Sequence, residues 1–197
     1  DFFSLLHVNK IKTVVTGCYF HDRDIDVAFK DVSFVNVDNE KGVQLQINHL
    51  LGQGRKHIAF IAGPAHDSDM HLRKEAYSEL IQKYHEPLIG KLVKDVSYLE
   101  HGYGAVDALL DSRKKIDAII AYDDEVALGA IRRLHEKGLN VPADVAVIGF
   151  DNAPEDDFTI PRLSSVSLPT HEIGIKSVEL LLDRLENKAE PKTIYVE

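Results

Sequence analysis

Short runs of apolar, largely β-branched residues alternate along the chain with longer runs whose apolar positions recur at helical spacing, and this alternation leaves few folds open. Three of the short runs, HIAFIAG (57–63), IDAIIAY (116–122) and DVAVIGF (144–150), are almost continuously apolar. A strand of that composition is buried on both faces, as an inner strand of a parallel sheet covered by helices is. KTVVTG (12–17), SFVNV (33–37), LVKDVSYL (92–99), SSVSL (164–168) and KTIYV (192–196) bring the candidate strands to eight, and residues 18–31 read as a polar loop. The first helix is the tail of one over 1–9. The second is opened by Asp38 or Asn39, carries Val43, Ile47, Leu50 and Leu51 at helical spacing, and is stopped by Gly52 and Gly54. Further helices cover about 69–84, about 102–113, 124–137 behind Asp123 and Asp124, and from Pro169 and Thr170 to about 187. Strands separated by helices imply right-handed βαβ units, so the class is α/β with doubly wound parallel sheets.

Composition removes several functions. Lys and Arg number 23 against 32 Asp and Glu, a net charge of −9, whereas a domain that grips nucleic acid by its phosphates leans basic. The single cysteine, Cys18, excludes an intrachain disulfide and a cysteine zinc cage, and fits a reducing compartment. No apolar run approaches the roughly 20 residues of a membrane span. The opening DFFSLLHVNK lacks the basic lead and long apolar stretch of a signal peptide.

In open parallel sheets, ligands bind beyond the carboxyl ends of the strands. Those ends carry Asp38-Asn39, Ser68 in GPAHDSDMHLR with Arg73 just inside a helix, Tyr122-Asp123-Asp124, and Asp151-Asn152. Carboxylates that accept from neighbouring hydroxyls, a guanidinium that donates a fixed fork, and aromatic rings such as Tyr19, Phe20 or Tyr122 suit a neutral sugar or polyol. Helix capping is the competing account of Asp38 and Asp124. Asp151 stands apart, because a long loop rather than a helix follows it. HDSDMH (66–71) lacks the spacing of a zinc helix and reads as a loop with a helix cap, so no metal site is expected. No GxSxG elbow, P-loop or GxGxxG occurs, and no acid/base pair can be assigned, so neither an enzyme nor a cofactor is expected.

Four segments resemble the effector-binding core of LacI/GalR-family bacterial transcription regulators. They are VNVDNEKGVQLQINHLLGQGRKHIAFIAGP (35–64), HLRKEAYSEL (71–80), AIIAYDDEVALGAIRRLHEKGLNVPADVAVIGFDNAP (118–154) and IPRLSSVSLPTHEIGIKSVELLLDRLENK (160–188). The resemblance implies a type I periplasmic-binding-protein-like fold of two α/β lobes, with the effector in the cleft between them. It implies crossings near Gly54, Val166–Leu168 and Ala189–Pro191. Residues 1–53 plus 169–188 then form the N-terminal lobe, and 54–168 plus 189–197 the C-terminal lobe. It also implies that this chain starts inside the first lobe, so that lobe is incomplete and the helix-turn-helix is absent. Arg73 matches the arginine of the family's R-x-x-G-Y pattern, with Ala76 in place of the glycine. Asp123 stands where the family has Asn, Thr or Ser, and Asp151 matches its aspartate after GF. Leu168 and Thr170 depart from the family's glutamine and aromatic. The implied effector contacts are therefore Arg73, Asp123 and Asp151, with Ser68 and Tyr122 from the strand ends. The implied partners are a sugar effector, a second copy of the chain through 124–137 and 152–160, and operator DNA through a domain outside this chain. The implied location is the cytoplasm, without a membrane. The alternative is a periplasmic sugar-binding protein of a transport system.

Overall fold

The computed structural model describes residues 2–17, 30–63, 68–82, 98–112 and 115–197. The chain divides into two units, Asp1–Asp38 with Pro169–Glu197, and Asn39–Leu168.

The larger unit is built on a four-stranded parallel sheet in the order β3 (Ile58–Ile61), β4 (Ala118–Ala121), β5 (Ala146–Asp151), β6 (Ser164–Ser167). Side chains of a strand alternate between faces, and the apolar runs fill both. Ile58, Phe60, Ile120 and Ile148 pack against α2 (Asn39–Gly52) and α3 (Ser68–Gln82) through Val43, Ile47, Leu50, Met70, Tyr77 and Ile81. Ala59, Ile61, Ile119 and Val147 point the other way, onto α4 (Tyr98–Asp111) and α5 (Asp124–Glu136) through Val106, Leu109, Val126, Ala130 and Leu134. This is the doubly wound arrangement expected of those runs. Helices α4 and α5 meet backbone to backbone: a Cβ on Gly102 would lie 2.0 Å from the Val126 carbonyl oxygen, and one on Gly129 1.9 Å from that of Leu99. Gly54, at φ +80, lets the chain leave α2 by a left-handed turn that other residues resist.

The smaller unit holds a three-stranded parallel sheet in the order β1 (Thr13–Thr16), β2 (Val32–Val37), β7 (Thr193–Val196). Helix α6 (Thr170–Glu186) packs on β1 and β2. The core there is Val35, Leu180 and Val196, flanked by Val14, Ile173 and Ile194. Arg184 is buried and donates to the carbonyls of Thr13 and Asp31, tying α6 to the entrances of β1 and β2. Helix α1 (Phe2–Val8) buries none of its residues, and Ile175, Val178, Leu182 and Leu185 form an exposed apolar stripe on α6.

Two expected lobe boundaries differ from this division. Helix α2, assigned above to the first lobe, belongs with residues Asn39–Leu168. Its Val43, Ile47 and Leu50 share a core with Ile58 and Phe60, and Gln46 Nε2 donates to the Gly149 carbonyl at 2.7 Å. The passage out of the smaller unit thus falls at Asp38–Asn39 rather than near Gly54. Strand β7, assigned to the second lobe, pairs with β2. Because α6 lies on β1 and β2, the strand it delivers lands beside β2. The other passage falls at Leu168–Pro169. Residues 18–29, with Cys18, Tyr19 and Phe20, lie outside the described residues, as do Pro64, His66 and Asp67. So do residues 92–97 of the remaining candidate strand; Tyr98 and Leu99, its last residues, begin α4.

Candidate functional site

Within the larger unit, the ends of β4 and β5 and the starts of α2, α3 and α5 converge on Arg73. This residue sits one turn into α3 and is 3% exposed. A buried guanidinium has to be bonded, because an uncompensated interior charge costs several kcal/mol. Arg73 Nε donates to Asn39 Oδ1 at 2.8 Å and Nη1 donates to the Tyr122 carbonyl at 2.6 Å. Its carbon lies 3.6 Å from the Phe150 ring centre and 4.8 Å from that of Tyr122, so two π-faces hold the plane. Nη2 remains, 3.7 Å from Asp151 Oδ1, a charge contact longer than a hydrogen bond.

The supporting residues explain several small side chains. Asn39 opens α2 and donates through Nδ2 to Asp69 Oδ1 at 2.9 Å, so its amide links the Arg73 guanidinium to the Asp69 carboxyl. A Cβ on Gly42 would stand 2.4 Å from the Phe150 ring, and one on Gly63 2.5 Å from the Tyr122 ring. Both glycines therefore let the rings lie where the guanidinium meets them. Tyr77, the tyrosine of the R-x-x-G-Y resemblance, stacks on Phe60 and donates to the Ile58 carbonyl at 2.6 Å, with Ala76 buried beside it.

Asp151 ends β5 at φ +116 and Asn152 follows at φ +57. Two successive non-glycine residues in the left-handed half of φ are uncommon, and the cost of such strain is tolerated most often at functional sites. The Asp151 carboxyl is 39% exposed. Partial burial pushes it up to about 7; Arg73 opposes the rise, and the charges of Asp124, Asp123 and Asp69 reinforce it. Asp123 lies deeper, as the N-cap of α5, with Oδ1 accepting from the Val126 amide at 2.7 Å. Burial pushes it up to about 6; the Val126 amide and Arg73 work against this, and Glu125 and Asp124 work with it. The site is thus one buried cation facing carboxyls that titrate near neutrality, suited to hydroxyl groups that both donate and accept.

Of the residues named from sequence, Arg73, Asp123, Asp151 and Tyr122 come together. The Tyr122 side chain is buried and packs behind the guanidinium, rather than standing ready to cover a sugar face. Ser68 begins α3, and its side chain lies outside the described residues. Asp124, read as a cap, is one residue inside the helix and instead pins the next loop, accepting from Ser165 Oγ at 2.6 Å and the Ala153 amide at 2.9 Å. Sequence reasoning placed Asn39 at a strand end without counting it among the site residues, and missed Phe150. Asn39 passes for a cap and Phe150 for strand core; their position just before or after a strand end was the available signal. Among the described residues, no group of three His, Cys, Asp or Glu side chains is gathered to hold a metal.

Residues 47–197 match the model of the periplasmic binding protein-like domain family. The ribose operon repressor of Halalkalibacterium halodurans is 30% identical over 159 residues, 81% of this chain and 47% of that protein. The HTH-type transcriptional regulator CelR of Thermobifida fusca is 33% identical over 180 residues, 89% of this chain and 52% of that protein. The chain therefore spans about half the length of these relatives. Among solved structures, a LacI family transcriptional regulator from Enterococcus faecium with bound ribose superimposes with a TM-score of 0.76 at 26% identity, over 99% of this chain and 79% of that one. With two parallel α/β units and a family match over most of its length, the chain belongs to the periplasmic binding protein-like domain family, and the relatives it matches are named as transcription regulators.

Proposed function

We propose that this chain is the effector-binding and dimerisation core of a LacI-type transcription regulator that senses a sugar or similar small polyol. The observation that carries the reading is the buried Arg73, held by Asn39, Tyr122 and Phe150, with Nη2 directed toward the half-exposed Asp151. An arginine fixed on three sides offers its remaining N–H groups at little further entropic cost, and such preorganisation favours affinity. The relatives named for ribose support a sugar over an anionic effector, as does the excess of carboxyls around a single guanidinium. Asp123 and Ser68 belong to the same proposed contact set. The regulator acts in the cytoplasm, by a change in the relation of its lobes that operator-binding domains read. A ligand moves such an equilibrium only by its difference in affinity for the two states. The dimer surface proposed is α5 with the 152–160 segment, where Phe158 and the adjoining Ile160 are almost fully exposed. The relatives' naming as regulators favours this role over a transport-linked binding protein.

Isothermal calorimetry of the intact regulator against a panel of pentoses, hexoses and disaccharides tests the reading. A binding sugar is expected. Asp151→Ala is expected to weaken it at least tenfold, and Arg73→Lys by a similar factor, because lysine cannot reproduce the fork. Unchanged affinity in both variants, with the fold intact, refutes the assigned site.

A further inference from the structure

The loop after β5 carries a second buried carboxyl close to the first turn of α5. Asp124 and Asp156 are each 2% exposed. Both oxygens of Asp124 have donors, Ser165 Oγ and the Ala153 amide. Asp156 lies in a short 3-10 helix, Pro154–Phe158, and among the described residues neither of its carboxyl oxygens meets a hydrogen-bond donor. Ala153 joins it to Asp124, in the first turn of α5: the Ala153 amide donates to Asp124 Oδ2 at 2.9 Å and the Ala153 carbonyl accepts from the Asp156 amide at 3.0 Å, while Glu155 of its own segment adds a further charge. Arg162, a cation of the same loop, is turned outward to Asp157. Two carboxylates in contact and out of water cannot both stay ionised at small cost, whereas a carboxylic acid donating to a carboxylate makes a strong, charge-assisted bond.

We propose that Asp124 and Asp156 form a proton-held latch. With one proton between them, the 3-10 helix is docked on the first turn of α5, and the exposed Phe158 at its end and Ile160 just beyond are held in a defined position. With both carboxyls ionised, the 152–163 segment loosens from the body of the unit. The inference is independent of the effector reading. Burial, followed by hydrogen bonding to Asp124 and its charge, pushes Asp156 up to about 7, with the Ala153 amide opposing. In the loosened segment, Asp156 returns to water and to an ordinary carboxyl value near ~4. The native value is raised, so the latch contributes fully below about 4, fades as the pH rises, and is lost above about 7.

Amide hydrogen exchange of the full chain at pH 5 and pH 8, corrected for intrinsic rates, tests this. The readout is protection in peptides covering 152–165, where the amides of Asn152, Ala153 and Leu163 are bonded across the loop. Protection there is expected to fall by on the order of tenfold or more between the two pH values, while peptides from β3 and β4 hold theirs. In Asp156→Asn, the carboxamide donates to Asp124 at either pH, so the difference is expected to vanish; Asp156→Ala, lacking the carboxyl, is expected to lose it as well. A pH-independent loop in the unsubstituted chain, the same fall in both variants, or an equal fall throughout the unit would each overturn the proposal.

Discussion

At the scale of single residues, the site is governed by what burial does to charge. Around Arg73, Asn39, the Tyr122 carbonyl and two aromatic faces stand where water would be. Asp151 is only partly shielded, and its carboxyl titrates at about 7. If it accepts effector hydroxyls as the carboxylate, protonation competes with binding. The folded value is raised, so the competent form is present above about 7 and is lost as the pH falls through it. Affinity for a neutral sugar is therefore expected to weaken about tenfold from pH 8 to pH 6, a shift that titration calorimetry at the two pH values reads directly. Asp151→Asn should flatten that dependence. Which aspartates would titrate this high was not legible in the chain. Asp123, Asp124 and Asp151 look alike as letters, and only their depth and donors separate a cap, a loop anchor and a half-exposed site carboxyl.

Elements were the most legible scale, because strand and helix periodicities are local. The apolar runs at 57–63, 116–122 and 144–150 became β3, β4 and β5, and Gly52 and Gly54 ended α2 as expected. Less legible was how closely two elements approach. Gly102 and Gly129 are unremarkable in sequence, yet they let α4 and α5 touch along their backbones. A methyl group at Gly129 has carbonyl and amide atoms of α4 in its way, and backbone cannot step aside as a side chain does. Gly129→Ala is therefore expected to destabilise the chain by about 1–3 kcal/mol, against the slight gain alanine brings to an unobstructed helix. Urea denaturation measures it; a neutral or stabilising result would show that α4 and α5 separate without cost. Phe150 belongs to this scale too. A strand's last aromatic passes for core, and it is core, but its ring also carries the guanidinium of a helix 77 residues earlier in the chain.

For the whole molecule, the two units differ in what they bury. The larger has an apolar cluster on each face of its sheet, whereas the smaller centres on Val35, Leu180 and Val196, with α1 unburied and an apolar stripe open on α6. Burying a Val, Leu or Ile side chain stabilises by about 1.5–3 kcal/mol, so among the described residues the smaller core has less with which to offset the entropy of ordering its strands. In this 197-residue chain, amides of β1 and β2 are expected to exchange at least tenfold faster than those of β3 and β4; equal protection would show that the chain unfolds as one cooperative body. The sequence by itself determined the class: short apolar β-branched runs alternating with longer runs of helical spacing, the inner strands apolar on both faces, admit little besides helices wound about parallel sheets. It also placed the polar residues at strand ends, since a strand's direction and its successor helix are local matters. Tertiary structure alone decided which sheet each piece joins. Helix α2 follows β2 in the chain, but its Val43, Ile47 and Leu50 match the face of β3, and β7 follows the helix lying on β1 and β2. It also decided that Asp124 and Asp156, 32 positions apart, are both buried and joined through Ala153. Contacts between distant segments depend on which faces bury the most apolar surface with the fewest unpaired polar groups, and that sum is settled only when all the faces are present.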